Sequence, residues 1–218
     1  YDESWFAPRD PGLGTVLVML GVEGEIPELA HHNFLFSDDW SDDFDAVFNG
    51  PVASRPQAAS QSIYVSKPSA TDPSVAPAGH ENLFVLVPVP ADPSVGHGDM
   101  YRGEASEQVQ RIADAAIEQI AARCGVAGLD RRIVVKQTLG PADFAERYNA
   151  WSGGSIGPAH TLRQSAFLRG SNKSRKAGNV LYAGATTTPG VGVPMCLISA
   201  ENVLKRVRAD RSSGPLQG

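Results

Sequence analysis

Short apolar runs separated by turn residues predict a chain of class α+β. The run Thr15–Leu20 is apolar on both faces and rich in β-branched residues, as buried strands are. Three further runs predict strands at Ile63–Val65, Leu83–Val89 and Ile133–Val135, and a last strand is predicted at Asn179–Gly184, before a Gly/Pro loop. We expect a mixed sheet with helices packed against it.

Helical periodicity is clearest over Glu104–Cys124, where apolar residues recur every three or four positions. Glu104 suits the start of this helix, and Gly125 suits a left-handed C-terminal cap. The apolar positions are Val109, Ile112, Ala113, Ala116, Ile117, Ile120 and Cys124.

Shorter helices are predicted over Ser41–Phe48, from Pro141 to about Trp151, and from about Pro194 to Arg208. Ser41 is the expected N-cap of the first helix, and proline suits a first helical turn. The residues expected to share one face are Phe44, Val47 and Phe48 in the first helix and Phe144, Tyr148 and Trp151 in the second.

Composition and charge exclude several classes of function. Of 218 residues, 42% are hydrophobic, which is enough to bury a core. The 24 acidic and 19 basic residues give a formal charge of −5 without any basic block, which argues against nucleic-acid binding by bulk charge. Cys124 and Cys196 lack metal-ligand spacing and cannot form a disulfide framework. No apolar run approaches the roughly 18 residues of a membrane-spanning helix.

The sequence opens on Tyr1, with neither a starting Met nor the features of a signal peptide. An apolar strand is predicted soon afterwards. We therefore expect a fragment that begins inside a domain.

A metal site is one reading of the acidic segment. Five acids lie between Asp38 and Asp45, after His31 and His32, and carboxylates and imidazoles can ligate metals. No ligand spacing supports such a site, however, and acids are common at the start of an amphipathic helix. We expect solvated carboxylates and no metal.

Gly153–Gly157 matches the G-x-S-x-G pattern of serine hydrolases, with Ser155 as the nucleophile. The match follows a predicted helix instead of a strand. His160 also precedes the only later acids, Glu201 and Asp210, so the order of a hydrolase triad is wrong. A glycine-rich turn is the favoured interpretation.

The Gly/Pro-rich segment Ala183–Pro194 brings bare backbone to a predicted helix N-terminus. Free N–H groups and partial positive charge at such an end suit an anion or the electron-rich end of a flavin ring. Neither this segment nor the glycines at Gly12 and Gly14 completes G-x-G-x-x-G, so no dinucleotide-binding fingerprint is present. A purely structural connection remains the alternative.

Four stretches of this sequence resemble the bacterial-type phytoene desaturases, which are flavoproteins of carotenoid synthesis. Together they span nearly the whole chain in the order of that family. They are Leu29–Asp39, Lys67–Gly79 with the apolar runs on either side of it, Pro141–Tyr148 continuing to Ala159–Ser165, and Asn179–Pro194.

The resemblance implies the C-terminal half of such an enzyme, without the N-terminal βαβ unit that holds the FAD pyrophosphate. Residues 1–175 would form most of a substrate domain, with a helical subregion at about 141–175. Residues 176–209 would supply the strand-and-helix edge of a Rossmann-like FAD domain, and residues 210–218 a frayed tail.

The resemblance also implies a cofactor site and a reaction. By position it assigns FAD contact to Gly184, Ala185, Gly192, Val193, Pro194 and Met195. The implied reaction removes a hydride to FAD and a proton from adjacent carbons of a C40 polyene. It assigns no general base; His160 and Arg147 are polar candidates for which a structural role is favoured.

The implied partners are a hydrophobic, phytoene-like polyene and a membrane surface, with the protein cytoplasmic and peripherally attached. The fragment alone is expected to be inactive and to expose apolar surface through which it could form a homodimer. Two alternatives stay open. One is a related flavin enzyme acting on another carotenoid, and the other is a non-catalytic module that binds a lipid or a partner.

Overall fold

The computed structural model describes residues 1–216 and confirms the α+β class. The chain forms two compact units. The first, here called the sheet unit, comprises Leu13–Ser155, and the second, the C-terminal unit, combines Tyr1–Gly12 with the chain from Ile156 onward. Of the predicted tail, residues 217 and 218 lie outside the described residues.

The sheet unit is built on five strands in the order β2-β3-β4-β1-β5, and all four pairings are antiparallel. The strands are β1 Leu13–Glu23, β2 His32–Leu35, β3 Ile63–Ser66, β4 His80–Pro90 and β5 Ile133–Leu139. β2 was not predicted, and the expectation of a mixed sheet was wrong. A helical crossover does join β4 to β5, which run in the same direction, but antiparallel β1 lies between them.

Six α-helices lie within the described residues, and the four longer ones lie where they were predicted, although the helix that begins at Pro141 ends at Tyr148, so Trp151 lies outside it. The six helices are α1 Glu3–Phe6, α2 Trp40–Phe48, α3 Glu107–Cys124, α4 Leu129–Arg132, α5 Pro141–Tyr148 and α6 Val193–Val207. The helix α3 begins three residues later than predicted and is followed by Gly125, whose φ of +74° confirms the expected left-handed cap.

The core lies between α3 and one face of the sheet. Val16 and Val18 of β1 and Val85 and Val87 of β4 alternate inward and are 0–2% exposed. They pack against the predicted apolar stripe of α3, in which six of the seven residues are buried and Cys124 is partly buried. The core therefore forms where the inward-pointing alternate residues of the strands contact the apolar stripe of the helix.

The helix α2 differs from its prediction in two ways. Its N-cap is Asp39, not Ser41, because the Asp39 carboxylate accepts the amides of Ser41 and Asp42 at 2.9 and 3.2 Å. Val47 is buried, whereas Phe44 and Phe48 are 56% and 50% exposed, so the predicted common face was also wrong. At 100° per residue, the two phenyl rings lie on the side of the helix that faces away from the core.

The C-terminal unit has no strand at 179–184 among its described residues, and this prediction was wrong. Only single bridges occur there, one joining Lys173 to Leu181 and one joining Gly170 to Thr187. A strand needs a neighbouring strand for its backbone groups. Here the Tyr182 amide donates to the Asn172 carbonyl at 2.8 Å and the Ser174 amide donates to the Val180 carbonyl at 3.0 Å, but no continuous ladder forms. No helix within residues 1–216 is long and apolar enough to cross a membrane.

Candidate functional site

The loop that the sequence assigns to flavin contact leads into α6. Gly184 and Gly192 have φ angles of +120° and +100°, a region that L-residues other than glycine rarely adopt. No described atom lies within 4 Å of the place that a Cβ would occupy on either residue. Both glycines therefore present open backbone at the ends of the loop.

The N-terminus of α6 is uncharged and exposed. Its first turn holds no acid, and Pro194 lies in it. The Cys196 amide donates to the Gly192 carbonyl at 2.9 Å, so the amides of Val193 and Met195 come before the first intrahelical bond. The Val193 side chain is 75% exposed. This end offers N–H donors next to apolar surface.

A buried arginine holds the other side of the loop. Arg169 is 4% exposed, and its guanidinium donates to the carbonyls of Ala185 at 2.6 Å, Pro158 at 2.9 Å and Gln164 at 3.1 Å. Burial lowers the pKa of this side chain below its usual value. Because all these acceptors are backbone carbonyls, Arg169 acts as a clamp that ties the loop to residues 158–164.

A polar cluster at the base of the loop fixes Gly184. Ser199 of α6 is fully buried, and its hydroxyl accepts the Gly184 amide at 3.1 Å. The Asn172 amide group donates to Ser199 at 3.0 Å and to Thr187 at 3.2 Å, and Thr187 donates to the Gly184 carbonyl at 3.0 Å. The turn is therefore held by side chains, and no sheet is needed to hold it.

The burial of α6 is inverted relative to a normal amphipathic helix. Its one fully buried side chain is that of Ser199, while most of its apolar side chains are exposed and Cys196, Ala200 and Val203 are partly buried. Val193, Leu197, Leu204 and Val207 fall within about 80° of one another around the helix and are 47–75% exposed. An apolar stripe of this size on a soluble helix indicates a surface that a partner normally covers.

The second face of the sheet is also apolar. One row of side chains crosses four strands in register, from Leu17 through Leu86 and Tyr64 to Phe34. None of these four is buried, although their neighbours along β1, β3 and β4 are, as is Leu35 next to Phe34. A groove of about 440 Å³ opens at one end of this face, beside Met19, Phe84, Val134 and Val135.

The other sequence candidates occupy structural positions. The Ser155 hydroxyl donates to the Leu13 carbonyl at 3.3 Å, and a 3₁₀ turn precedes it instead of a strand, so no nucleophile elbow forms. Arg147 stacks 4.3 Å from the ring centroid of Tyr101. His160 lies against the backbone of Gly190. Within residues 1–216 no group of three or more His, Cys, Asp or Glu residues could hold a metal.

Arg169, Asn172 and Ser199 were missed by sequence reasoning. Each lies at least 12 residues from Gly184, so no local spacing connects any of them with the turn at Gly184–Ala185. Ser199 alone carried a signal, as a small polar residue among apolar ones in the predicted last helix.

No protein-family profile matches this chain. The chain is 41% identical over 96% of its length to a carotenoid 3,4-desaturase of Haloarcula japonica. It is 33% identical over 88% of its length to a zeta-carotene-forming phytoene desaturase of Myxococcus xanthus, and 31% identical over 98% to a 4,4'-diapophytoene desaturase of Staphylococcus aureus.

The chain spans 35–41% of the length of these three relatives. The resemblance expected from the four sequence stretches is thereby confirmed, and the match extends over 88–98% of the chain. Over that length the chain is similar to part of each of these carotenoid desaturases.

Proposed function

We propose that this chain is the C-terminal part of an FAD-dependent carotenoid desaturase, acting on a phytoene-like C40 polyene, and that it is inactive alone. The carrying observation is the inverted burial of α6. An exposed apolar stripe that starts at the predicted flavin loop is expected where further chain would complete an FAD domain. The relatives are more than twice as long as this chain, so there is length to supply that cover.

The residues of the loop fit a flavin by the chemistry of their donors. A flavin ring is flat and largely apolar, with an electron-rich end that accepts hydrogen bonds. Open backbone at Gly184 and Gly192 allows close approach, and the amides at the start of α6 supply donors without a competing acid. Val193 and Met195 would contact the flavin ring. Pro194 between them, and Ala185 at the start of the loop, would complete the contact.

When bound, FAD would supply hydride acceptance. The chain's own contribution would be to position the flavin and the substrate. Arg169, Asn172 and Ser199 would hold the loop in the conformation that presents its backbone. The apolar second face of the sheet would lie against the hydrocarbon and exclude water from it.

A hydrocarbon substrate that is insoluble in water favours a cytoplasmic enzyme attached to the membrane surface. The exposed stripe of α6 would also permit a homodimer of the isolated chain. Flotation with vesicles and sedimentation of the chain test these two expectations separately.

The test of the proposed function is the visible absorption of this chain alone and within a longer protein that includes the upstream coding region. We expect flavin absorption only in the longer protein, together with phytoene consumption. In that longer protein, Gly192→Val should abolish flavin absorption, because valine at a φ of +100° is strained and covers the backbone.

The matched control is Gly178→Ala, at a glycine without positive φ and with no described atom within 4 Å of a Cβ. It should leave flavin absorption unchanged. A folded longer protein without flavin would refute the proposal, and so would normal flavin content in Gly192→Val.

A further inference from the structure

Five aromatic side chains form a continuous series along β2 and α2. Phe34, Phe36, Trp40, Phe44 and Phe48 follow one another with ring centroids 6.1, 5.6, 6.1 and 6.2 Å apart. We call this series the aromatic ladder. It arises because β2 places alternate residues on one side and α2 places every fourth residue on one side.

The ladder is exposed. Its five side chains are 48–63% accessible, whereas Leu35 and Val47, between them in sequence, are buried. Isolated exposed aromatics are ordinary on protein surfaces, but a contiguous row of five marks a binding surface.

The charges beside the ladder restrict what can cover it. Asp38, Asp39 and Asp45 are exposed and lie within two residues of a ladder residue in sequence, and none of them forms an ion pair with a residue of the described chain. One cation lies there too, because Arg123 donates to the Phe36 carbonyl at 2.6 Å, so the charge beside the ladder is net negative. An anionic membrane would be repelled by these carboxylates. A twofold dimer through the same surface would bring aspartates against aspartates. A neutral apolar ligand meets neither penalty.

The ladder is continuous with the apolar second face of the sheet. The ring of Phe34 lies 5.2 Å from that of Tyr64, and Tyr64 stands in register with Leu86. A linear ligand could therefore pass from the ladder to the sheet face without leaving apolar surface.

We propose that the aromatic ladder is a surface track for a neutral, linear isoprenoid or polyene chain, by which such a ligand reaches or leaves the sheet face. The inference rests on the proposed function and adds to it a second, outer binding site. Aromatic faces suit such a chain, since they offer flat apolar contact without hydrogen bonds to satisfy.

The length of the ladder predicts a length preference. The four centroid distances along the ladder add to a path of about 24 Å from Phe34 to Phe48. An extended chain advances about 1.3 Å per bond, as the 3.8 Å across three backbone bonds illustrates. The ladder therefore matches roughly 20 main-chain carbons, and each five-carbon isoprene unit supplies four of them. Affinity should rise with chain length throughout the series from 10 to 20 carbons and level off near about 25 carbons.

The test uses this chain and retinyl acetate, a C20 polyene that accepts excitation energy from tryptophan. We expect energy transfer that is largely lost in Trp40→Phe. Geranyl, farnesyl and geranylgeranyl acetates, with 10, 15 and 20 carbons in their chains, should displace the probe with increasing affinity. Phe36→Ala and Phe44→Ala should each weaken binding about fivefold to tenfold.

The matched control is Phe167→Ala, which removes an 86% exposed ring from the C-terminal unit and should leave affinity unchanged. Far-ultraviolet circular dichroism shows whether each variant is folded. The proposal is overturned if ladder variants bind retinyl acetate normally, or if affinity is independent of chain length. It is also overturned if the ladder variants instead abolish self-association or binding to phosphatidylcholine vesicles that contain no isoprenoid.

This experiment is separable from the flavin test. Binding at the ladder needs no FAD, so its failure would leave the flavin proposal standing. Absence of flavin from the longer protein would remove the desaturase and leave an isoprenoid-binding surface.

Discussion

Replacing Arg169 tests whether a single buried side chain organises the candidate flavin loop. Arg169→Met keeps the length and apolar stem of the side chain and removes its charge and its donors. The carbonyls of Ala185, Pro158 and Gln164 would then lose hydrogen bonds of 2.6–3.1 Å. Since the site is only 4% exposed, water can replace those bonds only in part.

The magnitude follows from the number of acceptors. A hydrogen bond from a charged donor contributes about 1.5–3 kcal/mol, and a buried acceptor without a partner costs about 1–3 kcal/mol. Removal of the buried guanidinium itself removes a desolvation penalty, which offsets part of this loss. We expect the loop to lose about 3–4 kcal/mol of local stability.

Amide hydrogen exchange measures this loss where it occurs. The amides of Gln164, Thr187 and Thr188 are hydrogen-bonded within the clamped region, to the carbonyls of Thr161, Gly184 and Gly170. At about 1.4 kcal/mol per decade, their protection should fall roughly a hundredfold to a thousandfold in Arg169→Met.

Two variants control the interpretation. Arg163→Met removes an exposed arginine from the same unit and should leave protection unchanged. Arg169→Lys should lie between them, because an ammonium group keeps the charge but cannot reach three diverging carbonyls as a guanidinium does. Protection in Arg169→Met equal to that in Arg163→Met would refute the reasoning.

Three further predictions concern stability. Ser199→Ala should lower the unfolding free energy by about 1–2 kcal/mol, since it deprives the Gly184 amide of its acceptor, whereas exposed Ser94→Ala should not; urea denaturation distinguishes them. Gly98→Ala should prevent stable folding of the sheet unit, because its Cβ would lie 1.9 Å from the Thr138 carbonyl oxygen. The control Gly178→Ala meets no neighbour, and expression yield and circular dichroism compare the two variants. Burial raises the pKa of Asp43, but the hydrogen bonds from Ser60 and Gln61 outweigh burial, so the pKa in the folded protein is lowered. Asp43 therefore stabilises the fold above about pH 4, and that stability is lost as the pH falls through its folded pKa. Asp43→Asn should therefore flatten the acid limb of a stability–pH curve, and exposed Asp45→Asn should leave it unchanged.

The elements that sequence predicted best are those decided by local pattern. α3 shows a regular apolar stripe, and β1 and β4 are long apolar runs, so neighbours along the chain were sufficient to find them. β2 is only four residues long, and both Phe34 and Leu35 are apolar although they point to opposite sides of the sheet. The segment therefore shows no alternation of apolar and polar residues. The strand predicted at 179–184 failed for the opposite reason, because its apolar residues have no adjacent strand within the described residues.

The residues of the candidate site also divide into those that local sequence could predict and those that it could not. Gly184 and Gly192 could be predicted because a glycine requirement is local, and both have positive φ. Their role in flavin contact stays a prediction. Arg169 and Asn172 could not be predicted, since they act through carbonyls and hydroxyls distant in sequence and nothing in R-G-S-N distinguishes a buried clamp from an exposed polar turn.

The two faces of the sheet give the strongest argument about what this fold is for. An antiparallel sheet with one face in water normally alternates apolar and polar residues, yet β1 and β4 place Leu17, Met19, Phe84 and Leu86 on the face away from α3. Leaving that face apolar adds no core to the sheet unit and increases its tendency to aggregate, so it is expected only if another apolar body lies there. A hydrocarbon and a covering segment of chain would both serve. The substitution Leu86→Asp distinguishes them. If the protein's own chain covers the face, Leu86→Asp would destabilise the longer protein. If the face is reserved for substrate, Leu86→Asp would leave the stability of that protein nearly unchanged and reduce only its use of polyene.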